Sequence, residues 1–116
     1  MSTAIERAYL RAAATGTTLT FWAERQPEAI ALTASDAELT FAELDAQASR
    51  VARVLRSGGL SPGDAIAVML PNCSAFVAVY YAALRTGLRF VPVNRHFAVD
   101  EVRYIVDDCG ALAVVA

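Results

Sequence analysis

Lysine is absent. All 10 basic residues in the 116-residue chain are arginine, so nothing here can act as a phosphate-loop lysine, a Schiff-base lysine or an acyl-adenylate lysine. Histidine occurs once, as His96, and cysteine twice, as Cys73 and Cys109. The cysteines are far apart in sequence, so no metal site of ordinary spacing can be assembled from them. They read as free thiols of a reducing, cytoplasmic compartment. The 6 glycines form no phosphate-binding turn after a strand. Charge is scarce as well: 10 arginines stand against 12 acids, a formal net charge of −2. No long-range field draws the chain to nucleic acid or to an anionic membrane. Glu6, Arg7 and Arg11, followed by a threonine-rich patch, leave no clean apolar segment for a secretory signal.

What the chain has in excess is apolar side chains. Hydrophobic residues make up 56% of it, above the usual range of about 45–50% that includes glycine. Abundant alanine inflates this share, and a face meant to be covered by something else would raise it further. One uncharged run, Ala65 to Leu84, is long enough to span a bilayer as a helix. Pro71-Asn72 argues against that reading, because proline removes a helical hydrogen bond near the middle and pushes Leu70 toward extended geometry. The run therefore divides into a strand over Ala65–Leu70, a turn, and a helix over Ser74–Thr86 ended by Gly87.

The same punctuation organises the rest. Residues 1–16 are expected to be poorly ordered or helical, with Ile5, Tyr9 and Ala12-Ala13 on one face. A short helix from Thr17 or Thr18 to Gln26 places Leu19, Trp22 and Ala23 together, with Trp22 read as core. Ala29–Thr33 and Glu38–Thr40 form two small strands joined by the polar turn Ala34-Ser35-Asp36-Ala37. Thr40 followed by Glu43 has the form of a capping box. The helix it opens puts Phe41, Leu44, Ala48, Val51, Ala52 and Leu55 inward and Arg50, Arg53 and Arg56 toward solvent. Gly58-Gly59 stops it, and Leu60 folds back on its last turn. Downstream come a strand over Leu88–Val93 with one ladder bond lost at Pro92, a helix over Val99–Asp108 with Val102, Ile105 and Val106 inward, and a buried strand over Ala111–Ala116. Strand, helix, strand, helix, strand implies right-handed crossovers and an α/β fold with a partial doubly wound parallel sheet, preceded by a small hairpin and helices.

Ligands in such sheets collect beyond the carboxyl ends of the strands, here Pro71-Asn72-Cys73-Ser74 and Asn94-Arg95-His96-Phe97. Neither loop is glycine-rich. Ser74 and His96 have the chemistry of a nucleophile and its base, but no Gly-x-Ser-x-Gly elbow supports them, and Asn72 and Ser74 read better as helix N-cap residues. The residues alone mark no catalytic, cofactor-binding or metal site.

Several stretches carry a family resemblance. Leu39–Leu44, Gly59–Val68, Leu70-Pro71-Asn72, Gly87, Val91-Pro92-Val93-Asn94 and Asp100-Glu101-Val102 resemble, in order and spacing, the amino-terminal segment of AMP-dependent acyl-CoA synthetases. Arg89–Phe97 and Tyr104–Gly110 look closest to actinobacterial fatty-acid ligases. The resemblance covers residues 19 to 116. Ala65 and Leu88 depart from the arginine and alanine common at those places in the family. The resemblance implies that residues 17–116 are the first portion of the large adenylation domain. It also implies that the intact enzyme uses ATP, magnesium and coenzyme A to turn a carboxylic acid into an acyl-adenylate and then an acyl thioester. The family's Ser/Thr/Gly-rich loop, adenine-binding segment, ribose-binding aspartate and catalytic lysine all lie downstream of the matched stretch. The chain is thus expected to be an inactive N-terminal fragment whose partner is the remainder of a synthetase. The alternative is a non-catalytic module that self-associates, or binds a full-length synthetase, through an exposed apolar face. An independent nucleotide-binding protein is disfavoured by the missing glycine-rich turn.

Overall fold

The computed structural model of the chain describes residues 3–116. Helix α1 (Ala4–Thr15) opens on a reciprocal cap: the Glu6 amide donates to the Thr3 hydroxyl at 3.1 Å, and the Thr3 amide donates to the Glu6 carboxylate at 2.9 Å. Gly16, at φ 70°, ends it in the left-handed region. Helix α2 (Thr18–Arg25) buries Leu19 and Phe21. Trp22 is only half-buried, contrary to the sequence expectation, because it stands edge-on to Phe21 and tilted to Tyr9 along the α1–α2 seam. The seam supplies its contacts, and Phe21 takes the inward position.

Strands β1 (Ile30–Thr33) and β2 (Glu38–Thr40) pair as an antiparallel hairpin. Thr40 then caps helix α3 (Phe41–Ser57) as the Thr–Glu spacing predicts. Its hydroxyl accepts from the Glu43 amide at 3.1 Å, and its amide donates to the Glu43 carboxylate at 2.9 Å. Leu44, Ala48, Ala52 and Leu55 are buried, while Arg50, Arg53 and Arg56 are exposed. The arginines lie in the carboxyl-terminal half of the helix, where positive charge is favoured by the helix dipole.

Three parallel strands carry the second half: β3 (Ala65–Val68), β4 (Arg89–Pro92) and β5 (Ala111–Val115), in the order β4-β3-β5. Helix α4 (Ser74–Thr86) connects β3 to β4, and helix α5 (Val99–Cys109) connects β4 to β5. This is the α/β sheet the sequence implies, with β3 in the middle and all four of its residues at 0% exposure. The uncharged run is accordingly a strand and a crossover helix, and among the described residues no helix is long and apolar enough to cross a membrane.

Two expectations about the outer strands need correcting. Pro92 costs no ladder bond. The Arg89 and Val93 amides both donate to β3, to Asp64 O and Val68 O at 2.8 Å each. With a period of two, the donor that Pro92 lacks therefore points outward from an edge strand. Nor is β5 buried, since Leu112 and Val114 are 67% and 49% exposed. It pairs on one side only, and α5, which packs near it, buries none of its own residues, with Val102, Ile105 and Val106 only half-buried.

Two apolar clusters hold the layers together. One sits between α3, α4 and the sheet around Ala52, Leu55, Ile66, Val68, Val79 and Leu88. The other ties α2 and the hairpin to α3 and α4 through Leu19, Leu39, Leu44, Ala48 and Ala78. Between them Arg85 of α4 donates to Asp45 at 2.8 Å and to Ser49 at 3.0 Å, and Thr20 of α2 donates to Asp45 at 2.8 Å. Asp45 thus links three helices. The α1–α2 turn is fitted onto this body so closely that a Cβ on Gly16 would overlap the Leu84 carbonyl, whereas Gly59, also in the left-handed region at φ 88°, has open space around it. Gly59→Ala is expected to cost only backbone strain, about 1–2 kcal/mol. Gly16→Ala should cost clearly more in urea denaturation; equal losses would mean that α1 and its turn are not docked on α4.

Candidate functional site

The carboxyl ends of β3 and β4 bring together the two loops that the strand positions single out. Leu70-Pro71-Asn72 faces Val93-Asn94-Arg95-His96 across a groove of about 640 Å³, whose walls also include Ser35, Phe76 and Pro92. Each wall has a local cause. Asn94 shapes its loop by accepting the His96 amide on its side chain at 2.9 Å and the Phe97 amide on its backbone carbonyl at 3.1 Å. Phe76 is held edge-on to Phe90 at 5.3 Å, and Tyr80 packs on the same ring at 5.4 Å. The groove is therefore lined by one aromatic ring, Phe76, held by its neighbours, and by one arginine and one histidine.

The start of α4 departs from expectation. Neither Asn72 nor Ser74 caps it: Cys73 occupies the cap position without a side-chain bond, and Ser74 is the first helical residue. The cap arrives from far away in the chain. Asp36, at the tip of the hairpin, accepts the Ser74 amide at 3.1 Å on one oxygen and the Ser74 hydroxyl at 2.6 Å on the other. A carboxylate at a helix amino terminus both satisfies an orphan donor and meets the positive end of the helix dipole. Asp36 is the residue that sequence reading left in a polar turn. Its only local signal is an acid at a hairpin tip, which does not say what it will reach.

This contact also settles the serine–histidine pairing. The Ser74 side chain is committed to Asp36, and Ser74 is buried while His96 is exposed across the groove. The two do not form a nucleophile and base. Among the described residues no three His, Cys, Asp or Glu side chains cluster in a way that could hold a metal ion. Arg95 is the one permanently charged cation lining the groove, which contains neither glycine nor lysine. What the arrangement offers is a groove at the carboxyl edge of the sheet, lined by loop residues and the Phe76 ring.

Hydrogen bonds set the two unusual carboxylates. The Ser74 hydroxyl, and next the Ser74 amide, hold Asp36 below the usual aspartate value, and the Thr40 amide and hydroxyl do the same for Glu43. A carboxylate with a depressed folded pKa stabilises the fold above its unfolded value, about 3.9 for aspartate, and that contribution is lost as pH falls through the folded value. Urea midpoints are expected to hold at neutral pH and fall below about pH 4. Asp36→Asn should lower the neutral midpoint and flatten part of the acid limb; an unchanged acid limb would show that the cap does not persist in solution.

Known proteins share this geometry. The model of the AMP-binding enzyme family matches residues 19–116. The chain is 37% identical over 94 residues to a plipastatin synthase of Bacillus subtilis, an alignment that takes in 81% of this chain and 3% of that protein. It is 36% identical over 81 residues to the long-chain-fatty-acid–CoA ligase FadD13 of Mycobacterium tuberculosis, taking in 70% of this chain and 16% of that one. The chain thus spans less than a fifth of these relatives' length. The structure of the Bacillus subtilis O-succinylbenzoate coenzyme A synthetase in complex with AMP superposes with a TM-score of 0.77 and 31% identity, covering 83% of this chain and 25% of that one. From α2 to the last strand the sheet, its crossovers and the hairpin lie within the matched region, and the chain belongs to the AMP-binding enzyme family.

Proposed function

We propose that the chain is the N-terminal segment of a fatty-acid–CoA ligase, cytoplasmic and of actinobacterial type, and that it does not adenylate an acid by itself. The observation that carries this reading is the family match over residues 19–116, combined with a chain that contains no lysine. Its groove lacks a donor set for phosphate, so ATP, magnesium and coenzyme A would be held by the remainder of a synthetase. In the intact enzyme the carboxylate would attack the α-phosphorus of ATP with loss of pyrophosphate, and coenzyme A would then displace AMP from the acyl-adenylate. The residues of this chain would supply packing and one wall of the larger site. The likeness to FadD13 favours a long-chain acyl substrate.

A second reading has its own support. The similarity to the plipastatin synthase is of the same strength, and it favours the corresponding segment of a peptide-synthetase adenylation domain. Both readings share adenylate chemistry and differ in the acid. Acid-dependent ATP–pyrophosphate exchange by the purified 116-residue chain is expected at background, and exchange above background overturns the inactive-segment reading. When the chain is mixed with a FadD13 variant lacking its own matched segment, exchange that returns with palmitate supports the ligase reading. Exchange that returns only with amino acids supports the other.

A further inference from the structure

The hairpin tip that caps α4 has a second property. Its turn, 34–37, is closed internally by the Ala34 amide donating to the Ala37 carbonyl at 2.8 Å. Its base is anchored by buried Leu39 and half-buried Ala31 and Leu32, whereas Ser35 and Asp36 are exposed. Solvent space lies on either side of the tip. On one side is the groove at the carboxyl ends of β3 and β4, which Ser35 lines. On the other is a groove of about 300 Å³ lined by Leu32, Thr33, Ala34, Cys73 and Val77. The two share Asn72 and Phe76 as common walls.

We propose that the β1–β2 turn is a strap, closed on α4 by the two hydrogen bonds between Asp36 and Ser74, and that its release joins the two grooves into one cleft. The closed turn is a rigid unit because its own bond bridges the tip. The ladder behind it is irregular, with a register shift between Ile30 and Leu32, so the hairpin has a place to bend. Among the described residues, the hydrogen bonds that fasten the tip to α4 run to Ser74 alone. Ala37 also packs against the core cluster, so what these two part-buried bonds fasten is the exposed tip, Ser35 and Asp36, and so short a segment opens at lower free energy than the core. Lifting it would clear a path from Leu32 past Phe76 to His96, which suits an elongated ligand better than either groove alone.

The chain carries its own reporter. Cys73 lies in the smaller groove beside the strap, while Cys109 sits at the end of α5, away from it, and both are half-buried free thiols. Labelling with a thiol-reactive disulfide at neutral pH, read separately at the two cysteines by mass spectrometry, is expected to be about tenfold faster at Cys73 in Asp36→Asn than in the parent chain, with Cys109 unchanged. Ser74→Ala, which removes the hydroxyl bond and keeps the amide bond, should give a smaller gain that is again confined to Cys73. It leaves the Asp36 charge in place, so the gain would not come from altered charge beside the thiol. Equal gains at Cys73 and Cys109 would mean general loosening, and no gain at Cys73 in either variant would mean that the bonds hold nothing closed; either result overturns the strap.

Discussion

Four residues with no exposure to water, Ala65 to Val68, impose most of what surrounds them. A strand buried on both faces must pair every backbone donor and acceptor along both edges, because an orphaned peptide group in an apolar interior is costly. Parallel partners β4 and β5 meet that demand, and parallel pairing in turn requires crossovers. The first crossover, α4, lies against α3, and together they cover Ile66 and Val68. Small side chains make this possible: Ala52, Ala82 and Ala83 let the helices and the sheet approach closely enough to leave the strand dry. The alanine richness of the sequence thus has a mechanical use here besides its compositional one.

The elements of the fold were legible where their causes are local. Gly87 and Gly110 each end a helix in the left-handed conformation, and a reading of such stops needs little beyond the glycine itself. The Thr40–Glu43 box is equally short-range, and so is the break at Pro71 that divides the long uncharged run. Errors arose where a residue's role depends on its neighbour in space. Whether Pro92 interrupts a ladder depends on which side of β4 is paired, and whether Leu112 and Val114 are buried depends on what lies over β5. Neither fact is contained in the segment concerned. Trp22 belongs to the same group, because its aromatic partner Tyr9 comes from a helix that periodicity marked only faintly.

The groove was legible by position and illegible in composition. The rule that loops collect at the carboxyl ends of parallel strands located Pro71-Asn72 and Asn94 to His96, and these do face one another. The residue that governs the start of α4 was not found, since Asp36 and Ser74 are 38 positions apart and meet only after the hairpin has packed on α3. A helix whose amino terminus lacks a good local cap is a signal that some distant group will supply one. Cys73 in the cap position, with no side-chain bond, is that signal. The arginine of α4 shows the same dependence, for Arg85 finds Asp45 and Ser49 only once α3 lies beside it.

The two rims of the small sheet are chemically unequal. On the outer rim of β4 the row of outward donors is broken at Pro92, whereas β5, made only of alanine, leucine and valine, has no proline and carries exposed Leu112 and Val114, its own irregularity being a register shift against β3 near Ala111. Further hydrogen-bonded chain would therefore meet exposed apolar side chains along one rim and a missing donor on the other. The two flanks thus differ in what an added strand would meet.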